Sequence, residues 1–144
     1  MSMAKQKTRK YSIVIQSLQE NLVAVEELAG KVADEAGLCE DDKDNVAIAV
    51  TEAVNNAIIH GNKSDISKKV IVDFFASKKD IKITVRDEGS GFDPDTLSDP
   101  LAPENILKES GRGIFILHSL MDHIDFTFSP SGTRIIMIKK FHNS

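Results

Sequence analysis

The segment VIVDFFASKKDIKITVRDEGSG, residues 70–91, holds two runs of alternating apolar side chains joined by a short polar link. Val70 to Ala76 and Ile81 to Asp87 are rich in the β-branched and aromatic residues that fit a pleated surface. Ser77 to Asp80 is short enough to make them a hairpin. The hairpin runs into a glycine turn, Asp87-Glu-Gly-Ser-Gly91. A dinucleotide-binding unit places its glycines after the first strand and ahead of a helix, so a simple alternating parallel wrap does not fit.

The rest of the chain extends this pattern in both directions. Tyr11 to Ile15 alternates and reads as a first strand. Ser17 or Asn21 can start a helix reaching Ala36, with Leu18, Leu22, Val25, Leu28 and Val32 on one stripe and Gly37 as a left-handed stop. Asp41 or Asp42 then caps a second helix, which buries Val46, Val50, Ala53, Val54, Ala57 and Ile58 and stops at Gly61 and Asn62. Beyond the hairpin, Glu88 to Ser110 carries Gly89, Gly91, Pro94, Pro100 and Pro103. It is longer than an ordinary connection, and residues 92–110 read as a lid. A third helix follows Gly113 and runs from Ile114 to about Met121. A second strand pair, Ile124 to Phe128 and Thr133 to Ile138, turns through Ser129-Pro-Ser-Gly132. The order predicts an α+β fold. It is a two-layer α/β sandwich with a mixed, mostly antiparallel sheet of about five strands and three helices on one face. The whole of 1–144 reads as one domain.

Composition narrows the function classes. The 144 residues are 41% hydrophobic, and 18 basic against 22 acidic residues leave a net charge of −4. That balance offers no bulk attraction to nucleic acid or an anionic membrane. The run Lys5, Lys7, Arg9, Lys10 reads as a charged, frayed terminus. Cys39 is the single cysteine, which fits a reducing compartment and a structural role. The N-terminal residues lack the apolar core of a signal peptide, and no apolar run approaches a membrane span, so a soluble cytoplasmic protein is expected.

Chemistry concentrates in the second helix and the glycine turns. In EAVNNAIIHG, residues 52–61, Glu52, Asn56 and His60 stand four apart, so each step advances about 40° around the axis and all three line one edge. Glu52 supplies an anionic oxygen able to orient or deprotonate a hydroxyl. Asn56 supplies a neutral hard oxygen suited to Mg²⁺. Both equally suit a solvated helix face, and His60 suits a helix-end hydrogen bond. Asp87, at the end of its strand, can accept a hydrogen bond from an adenine-like amine. Gly89 admits a ring at close range and Gly91 allows the exit into the lid. Without a ligand, the same segment is a plain turn after a strand. Gly111 and Gly113 precede a helix whose N–H groups can hold phosphate. Gly132-Thr133 opens the last strand, and the Thr133 hydroxyl can reach a bordering nucleotide. No Walker A loop, His-Glu-x-x-His pair, Cys-x-x-Cys or Gly-x-Ser-x-Gly elbow is present.

Together, Glu52 with Asn56, Asp87-x-Gly89-x-Gly91, Gly111-x-Gly113 and Gly132-Thr133 resemble, in order and spacing, the four boxes of the Bergerat-fold, histidine kinase-like ATPases. EAVNNAIIHG, RDEGSGF and GRGI are most similar to the bacterial anti-sigma factor serine/threonine kinases. The resemblance implies that ATP and Mg²⁺ bind here, with Glu52 as general base and Asn56 as metal ligand. It implies Asp87 on the adenine amine, Gly89 and Gly91 around the base, Gly111 and Gly113 on the phosphates, and Gly132 with Thr133 closing the adenine side. It further implies a homodimer that binds a sigma factor and phosphorylates a serine or threonine of an anti-anti-sigma protein. The chain has no room for the phosphoacceptor helices of a histidine kinase, so a stand-alone switch module is expected. The alternative expectation is a non-catalytic, nucleotide-gated partner-binding protein of another bacterial signalling pathway.

Overall fold

The structure is a computed structural model that describes residues 8–89 and 112–141. Five strands, β1 (Arg9–Gln16), β2 (Lys69–Ala76), β3 (Asp80–Arg86), β4 (His123–Ser129) and β5 (Gly132–Lys140), form one sheet in the order β1-β2-β3-β5-β4. Every neighbouring pair is antiparallel, so the expected mostly antiparallel sheet is antiparallel throughout. Both predicted hairpins form, β2 with β3 and β4 with β5. Most strand ends run one or two residues past their expected positions because register continues wherever a partner backbone is available, whereas β3 stops at Arg86, one residue short of Asp87. Arg9 and Lys10 lie in β1 paired with β2, and Lys10 Nζ sits 5.7 Å from the Phe75 ring centre. They are therefore ordered strand residues rather than part of a frayed terminus.

Helices α1 (Leu22–Ala36), α2 (Glu40–Asn56) and α3 (Arg112–Leu120) form the second layer. A single 3₁₀ turn, Gln19–Asn21, leads into α1. α1 ends on Gly37 at φ 78°, the left-handed stop expected there. α2 starts differently from expectation. Cys39, exposed and with extended backbone, occupies the N-cap without a side-chain bond. Asp41 and Asp42 fall inside the first turn, where carboxylates meet the unsatisfied N–H end of the helix dipole. Asp42 is buried, drawn inward by a cation from the sheet. α3 begins at Arg112, two residues before the expected start, and includes Gly113. Packing of Leu117 and Met121 into the core outweighs the low helix propensity of that glycine.

The core lies between the layers. Val70, Val72 and Phe74 of β2 meet Ile81, Ile83 and Val85 of β3 and Ile135 and Met137 of β5. Val25, Val32, Val46, Val50 and Val54 press onto them from α1 and α2. Alternation puts Ile71, Asp73 and Phe75 on the opposite, open face of the sheet, only partly covered. Phe74 is fully buried at the centre of this layer. Phe74→Ala is expected to cost about 3–5 kcal/mol of folding free energy, read as a lower urea midpoint at unchanged m-value.

Candidate functional site

α2 loses its regular course at Asn56, and Ala57–Gly61 form a wider, π-type turn. The Asn62 N–H donates to the Ala57 carbonyl at 2.8 Å and the Ser64 N–H to the Ile58 carbonyl at 2.7 Å. The helical path thus persists to Gly61 instead of simply stopping, because Ala57 and Ile58 remain packed in the core. Such widened turns recur at functional sites, where they re-aim a helix end. This one carries Gly61 against Asp87.

Asn62 holds the turn from behind and is 1% exposed. Its Nδ2 donates to Ser17 Oγ at 2.8 Å and to the Lys69 carbonyl at 3.0 Å. Its Oδ1 accepts the Glu88 N–H at 2.8 Å. Ser17 Oγ donates to the Lys68 carbonyl at 2.7 Å, and the Lys69 N–H donates to Glu88 Oε1 at 2.7 Å. One amide therefore fixes the end of α2 to the end of β1, the start of β2 and the exit of β3. Sequence reasoning took Asn62 only as a stop signal, since nothing in periodicity marks a three-way clamp.

Asp87 follows β3 directly and is 6% exposed. Its Oδ1 accepts the N–H groups of Gly89 and Thr133, each at 3.0 Å. Its own N–H donates to the Thr133 carbonyl at 3.0 Å. Oδ2 takes part in no hydrogen bond among the described residues. Burial pushes the carboxyl pKa above its ordinary 3.8, and the two N–H donors and Lys68 only partly oppose that.

Close approach explains the glycines here. A Cβ on Gly61 would lie 2.1 Å from Asp87 Oδ2, and one on Gly89 would lie 1.9 Å from the Gly61 carbonyl oxygen. A Cβ on Gly132 would lie 2.2 Å from the Asp87 carbonyl oxygen. Bare backbone at Gly61 lies against the second carboxylate oxygen, and bare backbone at Gly89 lies against Gly61. The sequence pointed to Gly89, Gly132 and Thr133 for this region. Gly61 was assigned only a helix stop, although its place at the end of the polar stripe was the available signal.

Glu52 and Asn56 are half-buried on α2, Asn56 a little over one turn before Gly61. Asn56 Nδ2 is sealed from solvent without a hydrogen-bond partner among the described residues. Leaving a buried amide unpaired costs about 1–3 kcal/mol, and its oxygen and nitrogen can exchange places by a flip. The orphaned end therefore fits a ligand group, as an oxygen toward a cation or a donor toward phosphate. Among the described residues no cluster of three or more His, Cys, Asp or Glu side chains could hold a metal alone. An ion beside Asn56 would take most of its ligands from phosphate and water, as Mg²⁺ does in nucleotide sites. Gly113 lies in the first turn of α3. Gly91, Gly111 and the 92–110 lid lie outside the described residues.

A four-part arrangement of this kind, a helix edge, a buried aspartate, a helix start and a strand entry, belongs to a known class. Residues 15–139 match the model for the histidine kinase-like ATPase domain, and the chain belongs to that family. Within it, the chain is 38% identical over 115 residues to the serine-protein kinase RsbW of Staphylococcus aureus strain JH9, covering 75% of this chain and 72% of the relative. The fold matches a crystal structure of the RsbU and RsbW domains of a Mycobacterium tuberculosis protein, with TM-score 0.71 and 16% identity. That match covers 95% of this chain and spans 34% of the larger one. A histidine kinase domain from a blue-light activated kinase of Erythrobacter litoralis aligns with TM-score 0.50 and 16% identity over 96% of this chain and 69% of that one. No helix among the described residues is long and apolar enough to cross a membrane.

The buried carboxylate carries a sign that can be tested. Its folded-state pKa is raised, so protonated Asp87 favours folding, and the penalty grows as pH climbs from 3.8 through the raised value. Asp87→Asn keeps an acceptor for both N–H groups and removes the charge. The stability of wild type relative to Asp87→Asn should fall as pH rises through that window, followed by thermal midpoints of both proteins. A parallel pair of curves would contradict the burial assignment. Gly89→Ala drives a methyl into backbone and should lose about 1–3 kcal/mol in urea unfolding.

Proposed function

We propose that this protein is an ATP-dependent serine/threonine protein kinase acting as an anti-sigma regulatory factor. The reading rests above all on Asp87, a buried carboxylate with one oxygen pinned by two backbone N–H groups and the other, beside Gly61, without a hydrogen-bond donor among the described residues. A carboxylate so placed accepts a hydrogen bond and rejects an acceptor, which selects an adenine amine over a carbonyl at the same position. Gly89 and Gly91 border the base, and Thr133 and Gly132 close its side. Gly111 and Gly113 bring backbone N–H groups to the phosphates. Asn56 holds Mg²⁺, which when bound neutralises phosphate charge. The family membership and the similarity to a serine-protein kinase support ATP as the substrate.

Glu52 lies one turn before Asn56, where a carboxylate can orient a partner's hydroxyl and take its proton. The hydroxyl oxygen then bonds to the γ-phosphorus while the bond to the β–γ bridging oxygen breaks, releasing ADP. Most of the acceleration comes from positioning and charge neutralisation. The phosphorylated partner in this reading is an anti-anti-sigma protein, and the sequestered one a sigma factor. The protein works as a cytoplasmic homodimer. The open sheet face, with Val14 exposed and Ile71, Phe75, Ile136 and Ile138 half covered, leaves apolar surface for such contacts.

A second reading, a nucleotide-gated binding protein without turnover, is favoured by one observation: Glu52 has no hydrogen-bond partner among the described residues that would orient it as a base. Glu52→Ala separates the two. The kinase reading expects Mg²⁺-ATP affinity to stay within a few-fold and transfer of labelled phosphate to the antagonist encoded beside its gene to fall by about 10²-fold or more. Tight ATP binding by wild type with no transfer would leave the gating reading. Asp87→Asn, which turns an amide donor toward the amine, should weaken ATP binding at least about tenfold.

A further inference from the structure

On the buried face of the sheet, where its neighbours are Ile81, Met137 and Ile135, β5 places a lysine. Lys139 is 7% exposed and its Nζ donates to the Leu120 carbonyl at 2.9 Å, at the last residue of α3. The same Nζ stands 3.7 Å from Asp42 Oδ1 in the first turn of α2, and both side chains are less than a tenth exposed. A cation at a helix C-terminus and an anion at a helix N-terminus both complement the dipoles. Burying such a pair is nonetheless weak support for stability, because desolvation offsets the attraction. Its placement has a geometric consequence instead.

α3 packs on α2, and the Lys139 ammonium joins the end of one to the beginning of the other. The helices therefore extend from it side by side, α2 forward along the chain and α3 backward. Ten residues along α2 lies Glu52 and four further on Asn56; seven residues back along α3 lies Gly113. Helical rise puts Glu52 about 15 Å and Gly113 about 10 Å from the clamp, at the same end of the helix pair. Thr133 lies near the start of β5 and Lys139 near its end. After α3, the Asp122 N–H donates to the Ile138 carbonyl and the Lys140 N–H donates to Asp122 Oδ2. These bonds hold the turn to β5 but do not reach α2.

We propose that Lys139 is a positioning residue of the nucleotide site. By clamping the α3 C-terminus to Asp42 of α2, it sets the distance between the metal-binding and phosphate-binding ends of these two helices. This rests on the nucleotide-site reading given above. The clamp acts at the end of the helix pair remote from the ligand, so its effect reaches the site through two rigid helices and one strand.

The test compares wild type, Asp42→Leu/Lys139→Met, Lys139→Arg and the core variant Val25→Ala, measuring the thermal midpoint and Mg²⁺-ATP affinity by calorimetry. Exchanging both charges for apolar groups should leave the midpoint unchanged or raised while weakening Mg²⁺-ATP binding roughly tenfold. Lys139→Arg, which keeps a cation for both partners, should bind within about twofold of wild type. If the double variant does not fold, Lys139→Gln takes its place, compared with Val25→Ala at matched midpoint. Wild-type affinity in the folded double variant overturns the proposal. So does an equal loss in Val25→Ala at the same midpoint, since that would make the effect one of stability alone. Absence of ATP binding by wild type would instead remove the site reading, and the positioning role with it.

Discussion

The structure turns on a carboxylate held almost out of water at the meeting point of three chain segments. Asp87 leaves β3, pairs its backbone with Thr133 of β5, and receives Gly61 from the end of α2. A buried ionised group is tolerated only when its oxygens are hydrogen-bonded or when it is kept for a ligand. Here one oxygen has two N–H donors and the other has none among the described residues. Such asymmetry suits recognition better than stability, and the surrounding backbone is shaped to preserve it. Gly61, Gly89 and Gly132 each bring main chain closer than any side chain would permit.

Asn62 complements Asp87 from the opposite direction. It is more deeply buried, and both its amide nitrogen and its oxygen are engaged, so it stabilises where one Asp87 oxygen is left without a donor among the described residues. Asn56, six residues earlier, repeats the contrast, with an amide nitrogen that is buried and unpaired among the described residues. Polar groups at this end of the molecule therefore divide into those that hold backbone together and those left without a partner among the described residues. At the far end of the helix layer, Lys139 and Asp42 form a third kind, a charged pair engaged with helix termini.

The sheet itself has little chemistry. Its buried face is a continuous apolar layer apart from Lys139, and its hairpins place two chain entries, Asp87 after β3 and Thr133 in β5, beside one another. Family membership and the matching structure agree with the two-layer scaffold. Scaffold rigidity matters to the role proposed for Asp87, because a recognition group gains selectivity only if its partners cannot shift to accommodate the wrong ligand.

Period-two alternation in 70–87 and 124–138 was enough to place the hairpins, and the apolar stripes of 22–36 and 46–58 placed two helices. These patterns are legible because burial acts on each residue separately and repeats at a fixed spacing. The glycine turns and the Glu52–Asn56 edge were legible too, as residue types in order along the chain. Other features depend on segments distant in sequence meeting in space. The Cys39 start of α2 with Asp42 turned inward depends on Lys139, 97 positions later by the numbering. The widened turn at 57–61 exists because Ala57 and Ile58 stay in the core while Gly61 must reach Asp87. Local sequence determined which elements form and which residues could do chemistry. Only tertiary structure decided that Gly61 and Asn62 flank that chemistry, because a close backbone approach and a three-way amide clamp have no period to read.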